Sequence, residues 1–242
     1  MNRPPDWMAV TDTHGDLIDP DGRDAVLRFV DVHEPGVRIH MGDVWDLRAL
    51  RKNASDEERA EGIRDDIEAG LKFLRAYRPT HLLLGNHDYR LWEKADRCAD
   101  GTLRDHCRML IEKIHEELED IGTVLFPYDV EDGIFYYGDR KFIHGYCHNM
   151  HSAHKAGQCY GNVTMGHVHQ FQRACPERDD NPEAWTCGHL LDAKRAKYAR
   201  RRQGTLRWQQ GFMYGWKDDN EHVSTYTVEP TGGRWFISEG FQ

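Results

Sequence analysis

The sequence predicts an α/β fold, a sheet with helical crossovers followed by a strand-rich second half. Three observations predict it. Short apolar runs alternate with stretches of helical period through the first half. Each of those runs stops at a glycine or an acid that opens a polar turn. After Gly122 the helical period is lost and short strand-like runs dominate.

Residues 7–11 form the first apolar run and end at Asp12. Residues 22–33 carry Ala25, Val26, Phe29 and Val30 at helical spacing. Residues 37–41 alternate and stop at Gly42. One helix is predicted over 56–77, with Ile63, Ile67, Leu71 and Leu74 on one face and Pro79 ending it. The run 81–84 then enters Gly85. Residues 102–120 form another amphipathic helix through Leu103, Met109, Leu110, Ile114 and Leu118. Strands are predicted at 134–137, 141–143, 162–165, 211–214 and 223–228, with Gly138-Asp139 as a hairpin turn. No internal repeat and no linker rich in Pro, Gly or Ser divides the chain, so residues 1–242 read as one domain. The motif-poor segment at about 170–217 is expected to shape the substrate pocket.

With 242 residues, 39% hydrophobic, the chain can bury a core without disulfides and is not a disordered segment. Its net charge of −9 argues against unselective coating of DNA or anionic membrane. No secretory leader and no membrane-length apolar run is present, so a cytoplasmic protein is expected. The six cysteines include no Cys-x-x-Cys pair and read as free thiols; a zinc site from Cys175 and Cys187 lacks the usual spacing. Fifteen histidines are the compositional outlier.

Several of them are organised. The strand ends deliver Asp12-Thr13-His14, Gly42-Asp43-Val44-Trp45-Asp46 and Gly85-Asn86-His87-Asp88; later runs deliver His144-Gly145 and Gly166-His167-Val168-His169. The carboxyl ends of strands in such a sheet share one edge, so side chains far apart in sequence can converge there. Adjacent glycines allow sharp turns and leave room for an ion. Mixed carboxylate, imidazole and amide donors suit manganese, iron or zinc. Seven donors exceed one tetrahedral zinc and fit two ions sharing a carboxylate.

Asp-x-His, Gly-Asp-x-x-Asp, Gly-Asn-His-Asp, His-Gly and Gly-His-x-His, in that order over residues 12–169, resemble the motifs of the calcineurin-like metallophosphoesterases. The resemblance implies an αββα sandwich, two mixed β-sheets face to face with helices outside. It implies Asp12, His14 and His169 at a first metal, Asn86, His144 and His167 at a second, and Asp43 bridging them. His87 would act at the leaving oxygen and Asp46 would hold its ring. Two ions about 3.5–4 Å apart clamp the oxygens of an in-line displacement, and a water between them ionises at roughly pH 7. That hydroxide is the nucleophile. His87 suits proton donation because an imidazolium titrates near neutrality. The expected cofactors are two divalent ions, manganese first, with iron, zinc or nickel as alternatives.

Taken singly, Asp12 and Asp43 read as turn or cap residues. His148 competes with His144 as ligand, while His151 and His154 read as rim residues. Asp16 and Asp88 are candidates to orient the ligating histidines or to cap helices, and Arg48 and Arg90 lie close enough in sequence to contact a phosphate. A basic strip holds Lys194, Arg195, Lys197, Arg200, Arg201, Arg202 and Arg207 without an acid, with Tyr198 and Trp208 beside it. It reads equally as a nucleic-acid track or as a solvated helix face. Leu47 after Asp46, and Asp88 after His87, depart from the protein-phosphatase pattern of the family. The expected function is hydrolysis of a nucleotide or nucleic-acid phosphodiester. The alternatives are a phosphomonoesterase of the same fold, a metal-binding scaffold without activity, and a nucleic-acid-binding protein without catalysis. Inactive members tend to lose the histidine beside the asparagine ligand, and this chain keeps His87.

Overall fold

The computed structural model describes residues 3–196 and 203–237. Strand β1 (Trp7–Val10) is buried along its whole length because both of its faces are covered. The two-residue period splits it: Trp7 and Ala9 join Ile39, Met41, Leu83, Phe135, Phe142 and Met213, while Met8 and Val10 join Val26, Phe29, Phe73 and Phe212. The first set lies between two sheets and the second under helices.

The first sheet runs β11-β10-β1-β2-β3-β4. Its parallel part comprises β1, β2 (Val37–His40), β3 (His81–Leu83) and β4 (Val124–Phe126). Strands β10 (Phe212–Gly215) and β11 (Tyr226–Val228) add antiparallel to β1. The second sheet runs β5-β6-β7-β9-β8. Here β6 (Arg140–Ile143), β7 (Val163–Met165) and β9 (Ala184–Thr186) are parallel, with β5 (Phe135–Tyr137) and β8 (Gln172–Ala174) antiparallel at the edges. Gly138-Asp139 turns β5 into β6 as the sequence predicts. Trp7 meets Phe142 edge-on at 5.1 Å across the interface.

Helices α1 (Pro20–His33), α3 (Arg64–Tyr77), α4 (Tyr89–Arg97) and α5 (Gly101–Ile121) cover the first sheet. Helix α6 (Ser152–Tyr160) covers the second through Ala156 against Ile143, Val163 and Met165. The protein is therefore a four-layer αββα sandwich of two mixed sheets. Helix α1 starts where Asp19 caps Gly22 N–H at 2.8 Å with Pro20 in its first turn. The helix expected over 56–77 is two helices. Ser55 and Glu58 form a capping box at the start of α2 (Asp56–Glu61), and Gly62, at φ +69°, ends it before α3. The segment 170–217 is not an appendage to the sheets, since it supplies β8, β9 and β10. Among the described residues, no helix is long and apolar enough to cross a membrane.

Candidate metal centre

Each predicted donor sits just past the carboxyl end of a strand. Asp12 and His14 follow β1, Asp43 follows β2, Asn86 and His87 follow β3, His144 follows β6, and His167 and His169 follow β7. The two sheets thus bring their parallel strand ends to one crevice. Asp12, His14, Asp43, His167 and His169 all have φ between +53° and +70°. This left-handed backbone is uncommon outside glycine, though Asp and His adopt it more readily than most residues. It turns the chain back at once and aims successive side chains inward.

The donors form two groups. In the first, Asp12 Oδ1 lies 2.9 Å from His169 Nε2, and His14 Nε2 lies 3.4 Å from His169 Nε2 and 3.8 Å from Asp12 Oδ1. In the second, His144 Nε2 lies 3.1 Å from Asn86 Oδ1 and 3.5 Å from Asp43 Oδ2. Donor atoms of Asp43, His144 and His167 fall within 4.8 Å of one another, as do those of Asp12, His14 and His169. Of the two competing histidines, His144 is the one in this group; the His148 ring lies 6.3 Å from that of His167, on the cleft wall.

The donor set fits a divalent cation. His144 Nδ1 donates to the Met41 carbonyl at 2.8 Å, which leaves Nε2 of the neutral ring as a bare lone pair facing two oxygens. His14 is held the same way by Asp46 Oδ1, 3.0 Å from Nδ1. Asp12 spends its other oxygen on the Thr11 hydroxyl at 2.7 Å and the His167 N–H at 2.9 Å. Asp43 Oδ1 accepts the His87 N–H at 2.8 Å. Acceptors crowded against one another in a buried site need a positive charge among them. Without a metal, protons supply it. Burial alone would lower His14, but the Asp46 hydrogen bond and charge, with Asp43 and Asp12, push it up to about 9. Burial is likewise outweighed at His144, which Asp43 and Asp12 push up to about 9. His167, buried and beside the His144 charge, falls to about 4. Burial opposes ionisation of Asp12 and Asp43, yet the neighbouring histidines hold both below the usual carboxylate range. Asp43 acts on His14 and Asp12 as well as on His144, so its charge links the two groups.

The glycines beside the donors leave room for side chains rather than for an ion. A Cβ on Gly85 would lie 2.1 Å from Asp43 Oδ1, and one on Gly42, at φ +95°, would lie 2.6 Å from His144 Nδ1.

His87 Nδ1 lies 3.1 Å from Asp46 Oδ1 and 3.0 Å from the Asp46 carbonyl, with Arg90 Nη1 at 3.1 Å. Asp46 thus serves two rings, His14 and His87. Burial, aided by the charges of His14 and Arg90, keeps the His87 ring below its ordinary pKa, so it is neutral in the free protein rather than an imidazolium. Asp16 and Asp88 do not orient ligating histidines. Asp16 forks with Arg48 at 2.8 and 2.9 Å, and Asp88 accepts from the backbone of Trp45 and Gly85. Arg48 is occupied by Asp16 and Glu61, whereas Arg90 lines the cleft. Asp66 also escaped notice in sequence. It leaves α3 to accept the N–H groups of Asp46 and Leu47 at 3.2 and 2.6 Å, and burial with the Asp46 charge pushes it up to about 7. Its signal was an acid four residues before Gly70 on an otherwise apolar helix flank.

The cleft over the donors measures about 780 Å³ and includes Arg90, His148, Arg207 and Trp208. The Trp208 ring packs 4.2 Å from His169. His189, also unassigned in sequence, lies buried 5.2 Å from His169. Of the basic strip, Lys197, Tyr198, Arg200, Arg201 and Arg202 fall outside the described residues. Cys187 is buried and Cys175 exposed, and among the described residues no metal-type group includes either.

No family model matches the chain. The Gene 54 protein of Mycobacterium phage D29 is 26% identical over 95% of both chains, and that of Mycobacterium phage L5 is 24% identical over 95% of both. Three solved structures are similar at lower identity. One is a Streptococcus pneumoniae protein described as a predicted phosphoesterase (14% identity, 95% of this chain and 91% of that one, TM-score 0.40). Another is an archaeal phosphodiesterase (14%, 92% and 99%, 0.43). The third is the nuclease MPE of Pseudomonas putida (16%, 92% and 88%, 0.35). The ordered motifs on the carboxyl edges of this two-sheet αββα sandwich resemble those of the calcineurin-like metallophosphoesterases.

Proposed function

We propose that this protein is a dinuclear metal-dependent phosphoesterase that hydrolyses a nucleotide or nucleic-acid phosphodiester. The carrying observation is the pair of buried donor groups over one cleft, coupled through Asp43. Asp12, His14 and His169 would hold one ion and Asn86, His144 and His167 the other, with the Asp43 carboxylate serving both. Manganese suits this mixed set, with iron, zinc and nickel as alternatives. When bound, the ions supply Lewis acidity and lower the pKa of coordinated water toward about 7.

The chain's own residues supply the remainder. Arg90, fixed by the Asp46 carbonyl at 2.7 Å, presents its charge to the phosphate. Trp208 offers an aromatic face for a base. His87 holds its Nδ1 proton against Asp46, leaving Nε2, 4.0 Å from Asp43 Oδ2, on the cleft side. A phosphate arriving beside this neutral ring raises its proton affinity. The ring takes up a proton from solvent water at Nε2 and gives it to the departing oxygen, returning to its neutral form.

A substrate panel with manganese tests the reading: bis-p-nitrophenyl phosphate, its monoester counterpart, cyclic nucleotides, single- and double-stranded oligonucleotides and a phosphopeptide. Diester hydrolysis that chelator abolishes is expected. Silence with every divalent ion supports the scaffold alternative, and monoester preference the phosphatase. The His87→Ala variant should retain metal and lose about 10²–10⁴-fold turnover on nucleoside leaving groups. Its loss on p-nitrophenolate, which departs without a proton, should be much smaller; equal losses would reject the acid role.

A further inference from the structure

A second concavity, of about 570 Å³, adjoins the metal cleft and shares Arg90 with it. Its walls are the turn after Leu47 and one face of α4, and they carry Arg51, Lys52, Arg90, Lys94 and Arg97 against a single acid, Glu93. In a chain of net charge −9 this concentration of positive charge is out of proportion. The helical period creates the row. Arg90, Lys94 and Arg97 stand at i, i+4 and i+7, on one stripe of α4. At about 1.5 Å per residue the row extends roughly 10 Å from the metal cleft.

We propose that this groove is a phosphate track that leads one nucleic-acid strand into the metal cleft. The inference rests on the phosphodiesterase reading and extends it. A strand carries one charge per nucleotide, so the three cations of the row can meet about three successive phosphates. One row of cations serves one strand; a duplex presents two backbones and would leave the second unmatched. Arg90 donates to a neutral carbonyl and lies beside the His87 ring, so these contacts leave its charge unopposed by a carboxylate. Arg51 is paired with Glu58 at 2.7 Å, and Arg97 with exposed Asp96 at 3.2 Å. Arg90, Lys94 and Lys52 therefore offer their charges directly, and the Asp96 contact of Arg97 is exposed and weak enough for a phosphate to displace it. A solvated helix face would also be basic, but it would not close a concavity opening onto the donor cleft.

The test is binding of a fluorescein-labelled single-stranded oligothymidylate with calcium in place of manganese, followed by anisotropy across a salt series. Each phosphate contact on a single strand contributes about 0.7 to the slope of log K against log salt. The Lys94→Ala/Arg97→Ala variant should lose about 1.4 from that slope. Lys94→Arg should restore its half. Parental melting temperature and manganese content certify the fold, and Lys52→Ala on the facing wall is the substitute if α4 does not tolerate the pair. An unchanged slope, or equal affinity for duplex, overturns the track. If the parent cleaves a small diester but binds no strand, the track fails and the phosphoesterase stands. If it binds the strand with the full slope but cleaves nothing, the enzyme reading fails and the track stands.

Discussion

Replacing Gly70 by alanine sets two opposed effects against each other. Gly70 lies inside α3, where alanine should stabilise the helix by about 1 kcal/mol. The new methyl, however, would lie 2.1 Å from Nε1 and 2.4 Å from Cδ1 of Trp45. That indole is fully buried and donates from Nε1 to the Ile67 carbonyl at 3.2 Å, so it has no free path of retreat. Overpacking costs about 1–3 kcal/mol, and a stranded buried N–H about 1–3 kcal/mol more. The methyl should lose, with net destabilisation of roughly 1–5 kcal/mol after the helical gain is counted. A loss of 2 kcal/mol lowers the melting temperature by roughly 4–8 °C in a chain of this size. Trp45 sits between Asp43 and Asp46 in sequence, so its displacement should also weaken manganese binding measured by calorimetry. Adding Trp45→Phe, which removes the pyrrole edge, should recover part of both losses. A Gly70→Ala protein that melts above the parent with unchanged manganese affinity would refute the reasoning, because α3 would then not set the position of the Asp43 turn.

Asp46→Asn should lower manganese affinity about 10–100-fold as well as turnover, since the carboxylate orients His14 in addition to His87; intact affinity would confine Asp46 to His87. Metal uptake at pH 7 should release close to two protons, visible as a dependence of the calorimetric heat on buffer ionisation, because His14 and His144 near 9 are protonated in the metal-free protein. The release should fade, and affinity level off, as pH rises through about 9; a pH-independent heat would contradict the raised values. For the chelated protein the sign is the same as for any raised histidine: this stabilisation is complete below the unfolded value of about 6.5 and lost as pH rises through 9. His167→Gly should change the stability of the chelated protein by less than about 1 kcal/mol, because relief of its φ of +70° offsets the added freedom of glycine. With saturating manganese the same variant should lose the metal's stabilisation and melt below the parent; an equal gain on adding manganese would remove His167 from the site.

Sequence reached the strand-end residues because each motif begins or ends at a glycine and is drawn from a small set of donor types. It also reached the crossovers, whose apolar stripes have a clear period. Other features have no local signature. Helix α6 buries Ser152, Ala153, Ala156 and Gly157, a flank too small to register as an apolar stripe beside its histidines. Strands β8 and β9 are three residues each, shorter than any usable alternation. The sharing of Asp46 between two rings depends on where β1, β2 and β3 lie side by side, which is a property of the sheet. The charge state of His87 depends first on burial and then on the His14 charge past β1, neither visible from its neighbours in the chain.

The turn-residue reading of Asp12 and Asp43 and the ligand reading are not rivals. Both residues occupy left-handed backbone, as do His14, His167 and His169, so each is a turn residue in the conformational sense. A turn alone, however, is served best by glycine or asparagine, which meet its backbone demand at lower cost. Held there, a bulkier side chain stores about 1–3 kcal/mol, and several together amount to a sizeable part of a total stability of about 5–15 kcal/mol. Such strain persists only where surrounding contacts over-determine it, and here they do: the Thr11 hydroxyl holds Asp12, the His87 N–H holds Asp43, and Asp46 holds His14. Strands that end at one crevice, turns that demand left-handed backbone, and donors that tolerate it therefore coincide at five residues. Turn geometry by itself gives no reason for three of those five to be histidines that supply ring nitrogens to the two donor groups, and a demand for cation ligands does.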